Sequence, residues 1–415
     1  MFGIFPANLA GKRDADRARE NCIRERGRNS GAAASGTLWS LMKIDSIILR
    51  EIHMQLKAPF ETSFGTVQDR RILLVEVVAD GVSGWGEVTA TESPFYNSET
   101  TGTAWHIISD FIAPFVIGKR LAKASDFPAL LTHIRGHEMA KSGVENALWD
   151  AEAQIKGVSL SKLLGGTLDE IACGVSLGIR ENPQALVSRV GEELRSGYQR
   201  IKLKIKPGKD FEYVAAVRKQ FPNIRLSVDA NSAYTLADTE HLRRFDEFNL
   251  LMMEQPLGWD DIYSHSKLQK QIHTAICLDE CIQSTRDALT AMELEACRIV
   301  NVKLGRVGGH TEARRLQEAC RERGVPVWCG GMLESGVGRA HNIAMSTLPG
   351  FVLPGDVSAS LRYWNEDIIE PGVEVTPHGT IRVPKTPGLG YTVVRERVEE
   401  LTVSRNQWHA KRAAD

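Results

Sequence analysis

The sequence predicts an α/β protein in which a closed barrel of parallel strands follows a smaller α+β unit. Three observations carry that expectation. From about residue 170, eight short apolar runs alternate with amphipathic helical stretches, as in a parallel sheet with helical crossovers. Before residue 165 the order differs, with strand signals first and helical ones after them. Acidic residues also close successive apolar runs at nearly one strand–helix period.

Residues 1–41 stand apart by composition. "KRDADRARENCIRERGRNSGAAASG" mixes charge with Gly, Ala and Ser and shows little apolar periodicity. It lacks the apolar core of a signal peptide, and Asp14, Asp16, Glu20 and Glu25 argue against a transit peptide. It reads as a disordered extension, or as sequence upstream of a true start at Met42.

The stretch 42–165 reads as an α+β unit. "IDSIILREIHMQL" and "RRILLVEVVADG" are strand-like, Asp80-Gly81 is a hairpin turn, and "GWGEVTA" closes the small sheet. From about 102 to 164 the pattern is helical. "SGVENALWDAEAQIKG" places Val144, Leu148 and Ala151 on one stripe and stops at Gly157.

The barrel is expected over 166–365. Its eight runs are "CGVSLGI", "RIKLKI", "IRLSVDA", "LLMMEQP", "AICLDE", "RIVNVKLG", "VPVWCGG" and "FVLPGDV". Between them Asn182 (with Pro183), Thr235 and Ser284 are helix N-caps, and Gly324 ends "GGHTEARRLQEACRERG". No helix is evident after the eighth run. "LRYWNEDIIEPGVEV" reads as a return to strand structure that rejoins the first unit.

Bulk composition narrows the function classes. The chain has 415 residues, 42% hydrophobic and 25% charged, an ordinary globular balance. Lys+Arg 51 against Asp+Glu 52 gives a net charge of −1, with no global field for nucleic acid or an anionic membrane. No apolar run approaches the ~20 residues that span a bilayer. The seven cysteines are scattered without a zinc pattern and read as small core residues in a reducing cytoplasm.

The chemistry lies at the run ends. Asp229, Glu254, Asp279 and Lys303 are spaced by 25, 25 and 24 residues, so they hold equivalent places on consecutive strands. Strand C-termini of a βα barrel converge on one face. Three carboxylates there repel one another unless something positive stands among them. Oxygen ligands on rigid strands suit a hard divalent cation, Mg²⁺ above all, with Mn²⁺ as its equivalent. In "RIKLKIKPG" Lys202, Lys204 and Lys206 alternate with Ile201, Leu203 and Ile205, the period of a strand. Lys202 and Lys204 lie on the second strand and Lys303 on the sixth, which face each other across a barrel. Lys206, beside Pro207-Gly208, falls past the strand and in solvent.

That arrangement suits removal of the α-proton of a carboxylate substrate. A lysine crowded by a second lysine and a cation has a depressed pKa, as a general base needs. Lys204 can serve one face of the carbon and Lys303 the other. Two bases permit racemisation; one base and a departing β-hydroxyl permit dehydration. Arg306, three residues on, would favour a neutral Lys303. A single strand-end Asp is ordinarily just a helix N-cap; three at one period beside lysines are not independent coincidences. Asn231 either bonds near the metal or only shapes the turn after Asp229. Ser176 is a weaker substrate-holding candidate. Gly331 and Met332, in "WCGGMLESGVGRAH", either let backbone N–H groups approach a ligand or merely form a tight turn.

"KLKIKP", "SVDANSAYT", "MMEQPL", "CLDE", "VNVKLGRVGG" and "GGMLESGVGRAHNIAMSTLPGF" resemble the o-succinylbenzoate synthase / N-acylamino acid racemase family of the enolase superfamily. "APFETSFGT" at 58–66 and "ESPFYNSET" at 92–100 resemble that family's two capping loops. The resemblance spans about 42–400. It implies a modified (β/α)7β barrel and a capping domain built from both chain ends, here completed by about 366–415. It implies metal binding by Asp229, Glu254 and Asp279, acid/base work by Lys204 and Lys303, and a substrate-carboxylate contact from Lys202. It implies dehydration of 2-succinyl-6-hydroxy-2,4-cyclohexadiene-1-carboxylate to 2-succinylbenzoate in menaquinone biosynthesis, by a cytoplasmic homo-oligomer. Some members also, or instead, racemise N-succinylamino acids.

Three alternatives remain at this level. One is another superfamily member, such as a dipeptide epimerase or a muconate cycloisomerase; the two loops argue against it. A Schiff-base barrel enzyme has no use for the carboxylates. A non-catalytic metal-binding protein has no use for Lys204 and Lys303.

Overall fold

The computed structural model describes residues 41–410. The expectation for 1–41 therefore lies, Leu41 apart, outside the described residues. Strands β1 (Met42–Glu61), β2 (Thr66–Ala79) and β3 (Val82–Val88) form an antiparallel sheet. The terminal strand Thr402–His409 pairs with the free edge of β1, so both ends of the described chain meet in one sheet. Asp80 and Gly81 turn β2 into β3 with φ of 46° and 77°, which matches the twist of a tight hairpin.

Helix α1 (Glu138–Ile155) lies on this sheet with almost no gap. A Cβ on Gly84 would stand 2.1 Å from the Ala147 carbonyl oxygen, and one on Gly86 2.1 Å from that of Gly143. The glycines of "GWGEV" thus let helix and strand backbones touch. The expected stripe of Val144, Leu148 and Ala151 is too narrow. Nearly every residue from Met139 to Ala153 is buried, because the turn Leu304–Val307 covers another side of the helix. Two of its buried acids hold the surroundings by hydrogen bonds, although Glu145 Oε2 and the Asn146 side-chain oxygen have no partner among the described residues. Asp150 accepts the N–H groups of Trp85 (2.9 Å) and Leu389 (2.8 Å), and Glu145 accepts Trp149 Nε1–H (3.0 Å) and Thr311 N–H (3.1 Å).

Seven parallel strands follow in chain order: β4 (Gly174–Leu177), β5 (Arg200–Lys204), β6 (Leu226–Asp229), β7 (Met253–Glu254), β8 (Ile276–Leu278), β9 (Ile299–Val302) and β10 (Val327–Cys329). The eighth apolar run closes them by single bridges, Val327 to Phe351 and Cys173 to Gly355. The Asp356 N–H also donates to the Cys329 carbonyl (2.8 Å). Pro354 has no N–H to give, so this segment makes no continuous ladder. One helical turn, Ser360–Tyr363, comes directly after it. The fold is a (β/α)7β barrel with an α+β layer. That turn departs from the expected direct return to strand, which comes later at Ile369–Glu370.

The caps at Asn182 and Ser284 hold: their side chains accept the N–H groups of Ala185 (2.9 Å) and Asp287 (3.2 Å). Thr235 opens a short 3-10 turn instead of an α-helix, and the Asp238 carboxylate accepts its N–H at 2.8 Å. Six cysteines fall among the described residues; all are buried and none is paired. Among the described residues no helix is long and apolar enough to cross a membrane.

Glu87, near the end of β3, ties the sheet to the barrel. It accepts Ser335 Oγ–H (2.6 Å), Ser335 N–H (3.2 Å) and Gly338 N–H (2.9 Å) at the start of helix α2 (Gly336–Met345). These are donors that a helix leaves unpaired at its N-terminus. Burial pushes the Glu87 carboxyl up to about 8, against the pull of Ser335, and the nearby Glu334 adds to the rise.

Two outcomes follow. Gly86→Ala drives a methyl group into helix backbone and should cost on the order of 2 kcal/mol or more, read as a lower urea midpoint. Gly102→Ala, whose Cβ would meet only the Thr100 hydroxyl at 3.7 Å, should be near neutral. The raised Glu87 value makes its contribution to stability full below the ordinary 4.5 and lost as pH climbs through about 8. Glu87→Gln should flatten the fall in unfolding free energy across that window, measured by urea titrations at several pH values.

Candidate active site

Strand register brings the separated charges into one row. Lys204 lies opposite Asp229, and Asp229 opposite Glu254, across β5, β6 and β7. Glu254 pairs with Cys277 in β8, two residues before Asp279, and Lys303 follows the last residue of β9. A βα unit of about 25 residues returns each of these positions to the same barrel rim.

The alternation in β5 now has its cause. Ile201 and Leu203 are buried in the main hydrophobic core, while Arg200, Lys202 and Lys204 are held by carboxylates. Arg200 and Lys202 stand over the Trp328 ring at 4.2 and 4.8 Å from its centroid. Lys202 Nζ contacts three carboxylates: Asp356 at 2.7 Å, Glu254 at 2.8 Å and Asp229 at 3.1 Å. Lys204 Nζ donates to Asp229 Oδ2 (2.6 Å) and to the Asn231 side-chain oxygen. On the opposite side Lys303 Nζ donates to Asp279 Oδ2 at 2.7 Å and sits 4.4 Å from the Tyr96 ring centroid. The other Asp279 oxygen accepts from Tyr96 Oη–H (2.9 Å) and from Arg306. Glu254 Oε1 accepts Asn301 Nδ2–H at 2.7 Å.

The charges act on one another strongly here. Burial and then the Asp229 charge push Glu254 up to about 7, with Lys202 opposing and Asp279 adding to the rise. Burial would also raise Asp229, but Lys204 and Lys202 outweigh it and hold it below the usual carboxylate range. Burial and then Asp279 push Glu280 up to about 8. Burial would lower Lys303, yet Asp279 beside it overrides burial and holds the ammonium above its usual value; Lys202 is likewise held up by Asp356 and Glu254. For Lys303 and Lys202 the protein's own nearest charges are carboxylates, which favour the ammonium form. Arg306 faces Asp279 and Tyr96 (3.1 Å to Oη) and acts on that carboxylate.

The remaining expected residues divide. Asn231 stands in the site, between Lys204 and Glu280 (2.9 Å to Oε1), in a left-handed conformation with φ of 41°. Ser176 pairs in register with Lys202, and its buried hydroxyl has no partner among the described residues. Gly331 lies against the Asp356 backbone, and the Met332 N–H donates to Glu334 (2.6 Å). It is Gly330 that packs on Lys303: a Cβ there would stand 2.6 Å from Lys303 Cε. Lys206 is not free in solvent but half-buried, 2.9 Å from Glu61 of β1.

Several participants escaped the sequence reading, among them Arg200, two residues before Lys202 in β5. Glu280 and Asn301 sit beside residues that were singled out. Asp356 ends the eighth run, as the other acids end theirs, but lies beyond the regular spacing. Tyr96 lies inside the second loop, with only its aromatic ring among polar neighbours as a signal. Both loops reach the barrel rim. Ser63 Oγ–H donates to the Asn231 carbonyl at 3.0 Å, and Tyr96 bonds Asp279.

Asp229, Glu254 and Asp279 are oxygen-only donors, buried and mutually repelling, and that chemistry fits a hard divalent cation. Among the described residues, however, no three His, Cys, Asp or Glu side chains are arranged as a ready metal cage. The carboxylates turn instead to the lysine and arginine groups between them.

Comparison with known proteins agrees with this architecture. Residues 44–165 match the mandelate racemase / muconate lactonizing enzyme N-terminal domain, and residues 185–397 the enolase C-terminal domain-like family. The o-succinylbenzoate synthase of Geobacillus kaustophilus is 51% identical, over 89% of this chain and 98% of its own length. The N-succinylamino acid racemase of an Amycolatopsis species is 45% identical, over 88% of this chain and 99% of its own. A crystal structure of an enolase superfamily member from Listeria innocua superimposes with a TM-score of 0.86 at 41% identity, covering 89% of this chain and 99% of that one.

Lys202 and Lys206 should behave very differently on substitution. Lys202→Met leaves three buried carboxylates facing one another and should cost about 3–5 kcal/mol. Lys206→Met breaks a half-exposed pair and should cost under ~1 kcal/mol. Urea unfolding of both variants in metal-free buffer checks the contrast.

Proposed function

The chain belongs to the enolase superfamily, and from that premise we propose that it is an o-succinylbenzoate synthase. It would dehydrate 2-succinyl-6-hydroxy-2,4-cyclohexadiene-1-carboxylate to 2-succinylbenzoate, a step of menaquinone biosynthesis. The observation that carries this reading is the placement of Lys204 and Lys303 at the ends of β5 and β9, each against a carboxylate, with Glu254 between them in the row. Similarity to the Geobacillus synthase supports the substrate.

The site residues take these roles. Asp229, Glu254 and Asp279 would hold Mg²⁺ or Mn²⁺. When bound, the cation supplies positive charge for the anion that develops on the substrate carboxylate. Lys202 meets that carboxylate with an ammonium fixed on the barrel floor. One lysine of the Lys204/Lys303 pair, in its neutral form, takes the α-proton; the ammonium so formed returns a proton to the hydroxyl on the adjacent carbon, whose C–O bond breaks as water leaves and the ring double bond forms. Asn231 positions Lys204. Ser176, with an unspent hydroxyl, binds substrate, and Gly331 and Met332 line the approach from the loop after β10. Residues 42–165, completed by the described part of about 366–415, form the cap, and 166–365 the catalytic barrel. The enzyme works in the cytoplasm as a homo-oligomer.

A second reading, N-succinylamino acid racemase activity in the same site, is favoured by one observation. Lysines on opposite strands can reach both faces of one carbon, and dehydration alone does not require two. The Amycolatopsis relative bears that name.

Both activities should require a divalent cation, vanish with chelator and return with Mg²⁺ or Mn²⁺. Lys204→Ala and Lys303→Ala should each lower racemisation at least ~10²-fold. In D₂O each variant should still exchange the α-hydrogen of one N-succinylamino acid enantiomer, and the two variants opposite ones. Equal exchange of both enantiomers by either variant would defeat the two-base assignment.

A further inference from the structure

We propose that Asp356 is a positioning residue: it fixes the Lys202 ammonium in the place where it meets the substrate carboxylate. The inference rests on the reading above for what Lys202 touches, but its geometry stands alone.

Lys202 has three N–H donors and three acceptors: Asp356 (2.7 Å), Glu254 (2.8 Å) and Asp229 (3.1 Å). Two of these acceptors are carboxylates assigned to the cation, so their lone pairs are shared. Asp356 is not in that set. Its Oδ2 accepts from Lys202 and its Oδ1 from Arg200. It is therefore the partner of Lys202 that keeps its bond whatever the other two carboxylates ligate.

The surroundings hold Asp356 still. Its backbone N–H donates to the Cys329 carbonyl, which ties the eighth segment to β10. Arg200, fully buried, lies over Trp328, and the same ring sits beneath the Lys202 ammonium. Asp356 thus bridges two cations stacked on one indole, a rigid base for a long, otherwise mobile side chain. Asp356 reaches Lys202 from the barrel's closing segment, whereas Asp229 and Glu254 belong to β6 and β7.

The test compares Asp356→Asn with wild type in the Mg²⁺-loaded enzyme. Asp356→Asn should raise KM and weaken calorimetric binding of 2-succinylbenzoate tenfold or more, while kcat changes less than threefold. Asp356→Glu should restore part of the affinity. In a Lys202→Met background Asp356→Asn should add less than twofold, since the two act through one contact. A crystal structure of Asp356→Asn should show the Lys202 ammonium displaced from its wild-type position. Should Asp356→Asn fail to fold, Asp356→Glu, which shifts the carboxylate by one methylene, takes its place in the crystallographic comparison. Lys202 unmoved in the crystal, or full additivity with Lys202→Met, overturns the proposal. If wild type neither binds nor makes 2-succinylbenzoate, the functional reading falls, and the crystal structure still decides the role of Asp356.

Discussion

Carboxylates on neighbouring strand ends repel one another, and burial makes that repulsion expensive. Asp229 and Glu254 stand side by side in register, with Asp279 on the next strand and Asp356 on the closing segment. Such a group persists in a protein interior only with positive charge threaded through it. Lys202, Lys204, Lys303, Arg200 and Arg306 are that charge, and each lies within bonding reach of at least one acid. The barrel mouth is a lattice of alternating sign. The raised Glu280 and Glu254 show where burial and neighbouring acids are least offset.

The rest of the structure serves that lattice. The strands supply rigid attachment points, and their register sets the row. Trp328, with Met252, Cys277 and Ile299, forms a small apolar cluster apart from the main core, and Arg200 and Lys202 stack on its indole. From the other side the α+β layer delivers Tyr96 to Asp279 and Ser63 to Asn231. Glu87 and the contact of α1 with the turn Leu304–Val307 fix that layer to the barrel. The contacts that close the site are therefore coupled to the packing of elements distant from it.

How far the fold could be read varied with the kind of signal. All eight apolar runs lie in the barrel sheet or its closure, because a buried parallel strand keeps an apolar face even where, as in β5, the other face carries charge. The Asn182 and Ser284 caps were legible because they depend on neighbours in sequence. The surroundings of α1 were not, since a stripe shows one buried face and cannot show that a second layer covers the others. The Asp279, Glu254 and Asp229 period was visible because the barrel repeats itself. Tyr96, Asn301 and Asp356 belong to no such repeat.

The sequence by itself determined which residues could form strands and helices, and which acids and lysines share one place in a repeated unit. Periodicity and composition suffice for that, because they act over distances of a turn or a strand. Only the tertiary structure decided which charge meets which. It turned Arg306 onto Asp279, gave Lys202 three acid partners, drew Lys206 to Glu61 and set Asp279 beside Lys303. Those outcomes rest on distances of a few ångströms between groups far apart in the chain, and electrostatic energy in a buried site changes steeply over such distances.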